Sequence, residues 1–386
     1  MIELKDWQKK AGMAFDTSGK RGIVEAATGS GKTFIALRYI EKYPDEDFTI
    51  LVPTIVLLGQ WKERIEKYLG FSPALVGDGN HESGRVVVAI VNSIRELSGR
   101  SFQNLILDEC HHYLSDENVK FLCNNQFSNI MGLSATVKRS DNRNYEPFGL
   151  PIIFQYTQSD GIKAGDLCEF DIINVGVKLT ELERRSYDKH DEIVKALYPK
   201  YAGQNIYAGG NFEMMRLRMA IGYRKKVLIN AVNKNVVVLD IIEKHKDSKI
   251  IFFTELISAA TKISKALDKL GIRHAFYHSK LTADQKRAAV QLYKDGVYKI
   301  IISVRALDEG LDVAETDVGI IHSGNRTAKQ AIQRTGRILR AKDGRALLYQ
   351  VYCLDTMETN EIKIRIKALP GARKIEWVSK EVENHD

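Results

Sequence analysis

"LILDECHHYL", Leu105 to Leu114, holds five consecutive residues with metal-binding side chains, Asp108 to His112. A zinc site is the first reading to test, and geometry opposes it. Neighbouring side chains in an extended segment point to opposite faces, so five in a row cannot converge on one ion. Structural zinc sites draw ligands from separated turns, as paired C-x₂₋₄-C or H-x₃₋₅-H units, and this stretch contains no such pair. The apolar run of Leu105, Ile106 and Leu107 reads instead as a buried parallel strand, with Asp108 and Glu109 at its carboxyl end. Open α/β sheets do their chemistry at that end.

The surrounding chain supports such a sheet. Further strand candidates are "GIVEA" from Gly22, "TILVP" from Thr49, "VVVAIV" from Val86 and "IMGLSAT" from Ile130. Between them lie stretches with apolar residues at helical spacing, such as "IVLLGQWKERIEKYL". Strand and helix in alternation imply a parallel sheet with helices on both faces. The rhythm restarts near Lys249 with "KIIFFT", "HAFYHS", "KIIISV", "DVGIIH" and "ALLYQVYCL". The expected fold class is therefore α/β, with two tandem doubly wound parallel sheets and a helical insertion between the cores. The expected boundaries are 1–160 for the first domain, 161–246 for a connecting strand and a helical, partly basic accessory region, and 247–386 for the second domain.

A chain of 386 residues, 44% hydrophobic and 27% charged, has the composition of a globular protein of two ordinary domains. Its formal net charge of +8 leans towards an anionic partner. The four cysteines have no C-x-x-C spacing, as in proteins of a reducing compartment. "MIELKDWQKK" has no apolar signal core, and no long apolar run follows, so a cytoplasmic or nucleoid-associated protein without membrane contact is expected.

"EAATGSGKT", Glu25 to Thr33, follows a strand and opens a helix. Small residues let the backbone of Thr28, Gly29, Ser30 and Gly31 wrap a phosphate chain with its N–H groups turned inwards. Lys32 would reach the β/γ-phosphates and the Thr33 hydroxyl would join Mg²⁺. Ala26 takes the first position, where only a small side chain is required. This loop gives the opening stretch its role. Asp108 would hold Mg²⁺ through its water shell, and Glu109 would orient and deprotonate an attacking water. His111 becomes a candidate coupler to the second domain. ATP and Mg²⁺ are the expected cofactors. In the second half, "QAIQRTGRILR" places Arg337 and Arg340 three residues apart, on one face if helical, as an arginine-finger arrangement requires.

The ordered set of motifs resembles a superfamily 2 helicase, and within it the XPB family of DNA repair and transcription helicases, from Leu4 to about Trp377. "LKDWQ" looks like the adenine-sensing glutamine motif, with Gln8 as its amide. "ATGSGKT" is similar to motif I, "VPTIVLLGQW" to Ia, "DECHH" to II and "LSAT" to III. "IIFFTELISAATKISKAL" resembles motif IV, "SVRALDEGLDV" motif V and "QRTGRILR" motif VI. The resemblance implies two RecA-like domains and one ATP. It also implies coupling by Ser134 and Thr136, a ribose contact by Asp312, and a contact of Gln333 with the γ-phosphate or attacking water. An R-E-D element of the group matches Arg139, Ser140 and Asp141, so its central Glu is Ser here, while Arg139 and Asp141 remain candidate DNA contacts. Ile90 in "VAIVNSI" stands where such helicases place a Thr that contacts the nucleic-acid backbone.

Extra DNA grip is expected from the region between the cores. There "RLRMAIGYRKK" supplies Arg216, Arg218, Arg224, Lys225 and Lys226 with no acidic residue. If this segment is helical, Met215, Leu217, Met219 and Ile221 cannot share one stripe, so part of it faces something other than its own core. The leading expectation is an ATP-dependent helicase or translocase moving 3′ to 5′ on DNA and separating strands in repair or related processing. Its expected partners are single-stranded, duplex or forked DNA and a protein such as a nuclease, and it would act as a monomer. A double-strand translocase or remodeller and an RNA helicase stay open beside it, because backbone contacts discriminate DNA from RNA poorly, whereas the intact Glu109, Arg337 and Arg340 argue against a slow ATP-gated clamp.

Overall fold

The computed structural model describes residues 2–93, 102–114, 116–135, 137, 145–207, 210–304, 316–323, 345–367, 369 and 372–380. They fall into two compact units that divide after Leu167. The first unit contains β1 (Arg21–Ala26), β2 (Phe48–Val52), β3 (Ala74–Gly77), β4 (Asn80–His81), β5 (Val86–Ile90), β6 (Phe102–Asp108), β7 (Phe127–Ser134) and β8 (Ile152–Tyr156). Its helices are α1 (Asp6–Thr17), α2 (Thr33–Lys42), α3 (Ile55–Leu69), α4 (Asp116–Asn124) and α5 (Gln158–Lys163). The strand order is β4-β3-β5-β2-β6-β7-β1-β8, parallel except for the β3–β4 pair.

Burial on both faces explains why these strands read as unbroken apolar runs. Ile50, Val52, Val88 and Ile106 point into a core with Trp7, Phe15, Ile35 and Trp61, whereas Leu51, Val87, Ala89, Leu105 and Leu107 point into another with Tyr113, Phe121 and Tyr145. The alternation along each strand is the period-2 pleat. Ile90 ends β5 inside the first of these cores, so the backbone contact implied by the resemblance at that position is not offered by this side chain. In α3, Leu57, Leu58, Trp61 and Ile65 form the buried stripe; the Thr54 side chain caps the start and Gly70, at φ 78°, ends it in the left-handed region.

The second unit begins with β9 (Glu169–Val177), followed by α6 (Glu181–Leu197), α7 (Phe212–Asn230) and α8 (Val232–Lys244). It continues through β10 (Ile250–Thr254), α9 (Ile257–Lys269), β11 (His274–Tyr277), α10 (Ala283–Lys294), β12 (Ile300–Val304), β13 (Val318–Ile321), β14 (Arg345–Cys353), α11 (Met357–Lys367) and β15 (Ala372–Lys380). The order β11-β12-β10-β13-β14-β9-β15 places β9 between β14 and β15, all parallel. The region 161–246 thus supplies a strand to this sheet, and α8 packs Val237, Val238, Ile241 and Ile242 into its core. Among the described residues no helix is long and apolar enough to cross a membrane.

A buried ion pair fastens α8 to α11. Lys234 is fully buried, with Nζ 2.8 and 2.9 Å from the two oxygens of Glu358, which also accepts the Cys353 N–H at 2.7 Å. Removing one partner strands the other in a dry interior. Glu358→Ala is therefore expected to lower the stability of the second unit by roughly 3–5 kcal/mol in urea unfolding, with most of the loss recovered on adding Lys234→Met.

Candidate nucleotide site

The carboxyl ends of β1 and β6 bring the glycine-rich loop and the strand-end carboxylates together. Leaving β1, the loop is shaped by Gly29 and Gly31 at φ 88° and 94° and by a Ser30 Oγ–H donated to the Ala27 carbonyl at 2.7 Å. A Cβ on Gly31 would lie 3.0 Å from Gln8 Nε2, so both the backbone angle and the space call for glycine. Thr28 Oγ1 is shielded from solvent and has no hydrogen-bond partner among the described residues, as suits a donor awaiting an anion. Gln8 is buried; its Nε2 donates to the Gly31 carbonyl at 2.9 Å and its Oε1 accepts the Lys5 N–H at 2.9 Å. Trp7 stacks on Tyr156 at 4.3 Å, and Asp166 accepts from both Lys5 and Tyr156, so the start of α1 is pinned to β8.

Lys32 Nζ meets Glu109 Oε1 at 2.7 Å, with both side chains largely buried. Glu109 sits at φ 49°, ψ 53°, a left-handed conformation uncommon for a residue with a Cβ and frequent at functional turns. Its other oxygen, Oε2, accepts no hydrogen bond among the described residues and lies 3.5 Å from His111 Nδ1. Asp108 is buried, and its carboxylate accepts the Glu109 N–H at 3.0 Å on Oδ1 and the Trp61 indole N–H at 2.8 Å on Oδ2. Burial pushes the Asp108 carboxyl up and the neighbouring Glu109 adds to that, while Lys32, Trp61 and Arg64 act in the opposite direction. Arg64 Nη1 donates to Thr33 Oγ1 at 3.1 Å. Thr33 and Asp108 are thus gathered by one turn of α3. A hydroxyl and a carboxylate oxygen form a hard donor set, which fits Mg²⁺.

The other residues of the opening stretch diverge. Cys110 is fully buried against the core, and burial pushes its thiol up. His111 Nδ1 lies 2.8 Å from Ser134 Oγ, so the turn after β6 is bonded to the end of β7. Tyr113 donates its hydroxyl to the Asp108 carbonyl at 3.0 Å. Three residues escaped the sequence reading. Trp61 and Arg64 lie in or just past the quoted "VPTIVLLGQW", but no pattern in it announces their long-range partners. Glu25 accepts the Val137 N–H at 2.8 Å and the Gln155 amide at 2.7 Å, tying the strand before the loop to the chain leaving β7 and to β8.

Of the expected DNA contacts, α7 carries all five cations of "RLRMAIGYRKK". Arg224 bonds Asp191 at 2.5 Å, and Asp191 also holds Lys195 at 2.8 Å. Lys225 pairs with Glu255. Arg216 and Lys226 are exposed and Arg218 is half-buried. Leu217 is buried while Met215 and Met219 are exposed, the split expected from their spacing. Thr136, Arg139, Asp141, Asp312, Gln333, Arg337 and Arg340 lie outside the described residues.

Comparison with known proteins fits this arrangement. Residues 1–139 match the family described as type III restriction enzyme, res subunit, and residues 233–342 match the helicase conserved C-terminal domain. The chain is 31% identical over 373 residues to the DNA 3′-5′ translocase XPB2 of Sulfurisphaera tokodaii, covering 92% of this chain and 83% of that protein. In fold it resembles the Pyrococcus furiosus Hef helicase domain, with a TM-score of 0.61 at 16% identity over 93% of this chain and 97% of that one. It also resembles the type ISP restriction-modification enzyme LlaBIII bound to DNA, with a TM-score of 0.69 at 15% identity, covering 100% of this chain and 32% of that one. The two sheets are those of tandem RecA-like domains. The chain belongs to the XPB-like group of the superfamily 2 helicases, a family of ATP-hydrolysing, nucleic-acid-dependent enzymes.

Proposed function

We propose that this protein is an ATP-driven DNA helicase/translocase that moves 3′ to 5′ and separates strands in DNA repair or related processing, acting as a single chain. The observation that carries the catalytic part is the Lys32–Glu109 ion pair, which joins a phosphate-binding loop to a strand-end carboxylate. Polarity and DNA as substrate rest on the likeness to the XPB2 translocase. Likeness to a translocase also fits a second reading, translocation on duplex DNA without processive unwinding.

Lys32 neutralises Glu109. Phosphate oxygens entering the loop compete for the ammonium group, and Glu109 is then released to orient water and accept its proton. Thr28 to Gly31 would line the phosphate chain, and Gln8, bonded to the loop at Gly31, would by resemblance read the base. Thr33 and Asp108 would hold Mg²⁺, which when bound offsets charge on the terminal phosphates. His111, 3.5 Å from Glu109 Oε2 and bonded to Ser134, would couple changes at Glu109 to the end of β7. On sequence grounds, Gln333, Arg337, Arg340 and Asp312 complete this chemistry, and Arg139 and Asp141 contact DNA.

On α7, Arg224 and Lys225 already serve carboxylates of the protein, which leaves Arg216, Arg218 and Lys226 as the phosphate contacts. The Arg216, Arg218 and Lys226→Ala triple variant is expected to weaken DNA binding and flatten log K against log salt by about 2–3 units, since each phosphate contact contributes about 0.9. An unchanged slope removes this helix from the DNA site. Comparing ATP turnover and strand displacement on single-stranded DNA, duplex, fork and RNA tests the substrate. Stronger stimulation by RNA than by DNA overturns it, and DNA-stimulated turnover on duplex without displacement selects the second reading.

Two further outcomes test the chemistry. Lys32→Ala should abolish turnover, while Glu109→Gln should keep ATP binding and lose hydrolysis, because an amide cannot take the proton of water; substantial turnover by Glu109→Gln rejects the base assignment. Arg337→Ala or Arg340→Ala should lower turnover by ~10³ or more with nucleotide affinity held within about tenfold, measured by steady-state kinetics beside equilibrium binding.

A further inference from the structure

Trp61 and Arg64 stand one turn apart on the same face of α3, and each donates to one of the two groups assigned above to Mg²⁺. Trp61 is fully buried, so its indole N–H needs a partner, and it finds one in Asp108 Oδ2. The other Asp108 oxygen is bonded to the Glu109 N–H, so the plane of the carboxylate is fixed by two donors. Arg64 differs from Trp61 in kind, because its guanidinium is half-exposed and rests on the Thr33 hydroxyl. A hydroxyl oxygen that turns its electron density to a divalent cation cannot comfortably keep a second cation on it.

From this geometry we infer that α3 presets the metal site through two positioning residues of opposite effect. Trp61 orients Asp108 for the ion, and Arg64 holds Thr33 until the ion takes its place. This inference rests on the reading of Thr33 and Asp108 as the Mg²⁺ groups. Trp61 acts on affinity through the carboxylate it orients, as outer-shell hydrogen bonds to metal ligands generally do. Arg64 is a competitor, so neutralising it favours the ion. Neither residue needs to touch substrate, and neither effect extends to the affinity for metal-free nucleotide.

The test uses the full chain with a non-hydrolysable ATP analogue and Mn²⁺ as the probe, free Mn²⁺ being read by electron paramagnetic resonance. Trp61→Phe keeps an aromatic ring but removes the donor; it is expected to raise the Mn²⁺ dissociation constant about tenfold or more, leaving binding of the metal-free analogue unchanged. Arg64→Gln, at a half-exposed position that tolerates change, is expected to lower the Mn²⁺ dissociation constant, and it keeps the inference testable if the core variant fails to fold. Asp108→Asn separates the two levels of the argument. If Asp108→Asn leaves Mn²⁺ affinity intact, the Mg²⁺ reading itself is wrong. If Asp108→Asn weakens Mn²⁺ binding while Trp61→Phe only lowers thermal stability, Trp61 is a packing residue and its part of the inference fails. Unchanged or weaker Mn²⁺ binding by Arg64→Gln overturns the part assigned to Arg64.

Discussion

The ion pair between Lys32 and Glu109 joins segments 77 residues apart, and much of the first unit can be understood as the scaffold that lets them meet. A lysine and a glutamate with side chains 11% and 14% exposed have little water to stabilise them, so each depends on the other. Their contact requires β1 and β6 to end on the same edge of one sheet. The order β6-β7-β1 satisfies that with a single strand between them. The intervening strand is used as well, since β7 ends in Ser134, which bonds His111. In the proposed function the pair is also exchangeable, because a phosphate chain would offer Lys32 more negative charge than one carboxylate does.

A site of this kind works only if the groups around the exchangeable pair do not drift. Three supports reach it from different elements. Gln8 on α1 braces the loop at Gly31, Glu25 on β1 binds the chain beyond β7, and α3 reaches across to Asp108 and Thr33. Gln8 and Glu25 are each held by a second hydrogen bond and Trp61 by packing, while Arg64 is half-exposed. Trp61 is wedged in the core and Gln8 is bonded at both ends of its amide. The backbone strain at Glu109 sits inside this frame, where the surrounding bonds over-determine it.

Most of this frame was legible in the sequence because it is written in local terms. Unbroken apolar runs mark strands buried on both faces, and a glycine-rich segment between strand and helix marks a phosphate loop. The supports were not legible, because their meaning lies in distant partners. Nothing in "GQW" shows that its indole will meet a carboxylate 47 residues later. The same limit applies to β9. "EFDIINVGV" lies where a connecting strand is expected, but nothing local shows that it pairs with β14 along its whole length and accepts β15 on the other side. Pairing with strands far along the chain is a tertiary fact with no local periodicity to announce it.

Charge was the least legible property of all. A run of five cations without an anion reads locally as a basic face, but a helix folded against its neighbours presents its cations to different surroundings. On α7, Arg224 turns inwards to Asp191 on α6, and Lys225 meets Glu255 beyond β10. These two bonds attach α7 to the rest of its unit, so they belong to the architecture. What the helix leaves at its surface is a mixed strip in which Phe212, Met215, Met219 and Tyr223 are exposed beside Arg216 and Lys226, with the Lys226 ammonium 5.5 Å from the Tyr223 ring. Such a strip can meet phosphates through its cations and apolar or aromatic surface through its remaining side chains. In the proposed function the electrostatic part of its affinity would come from Arg216, Arg218 and Lys226, a smaller number of cations than the sequence displays.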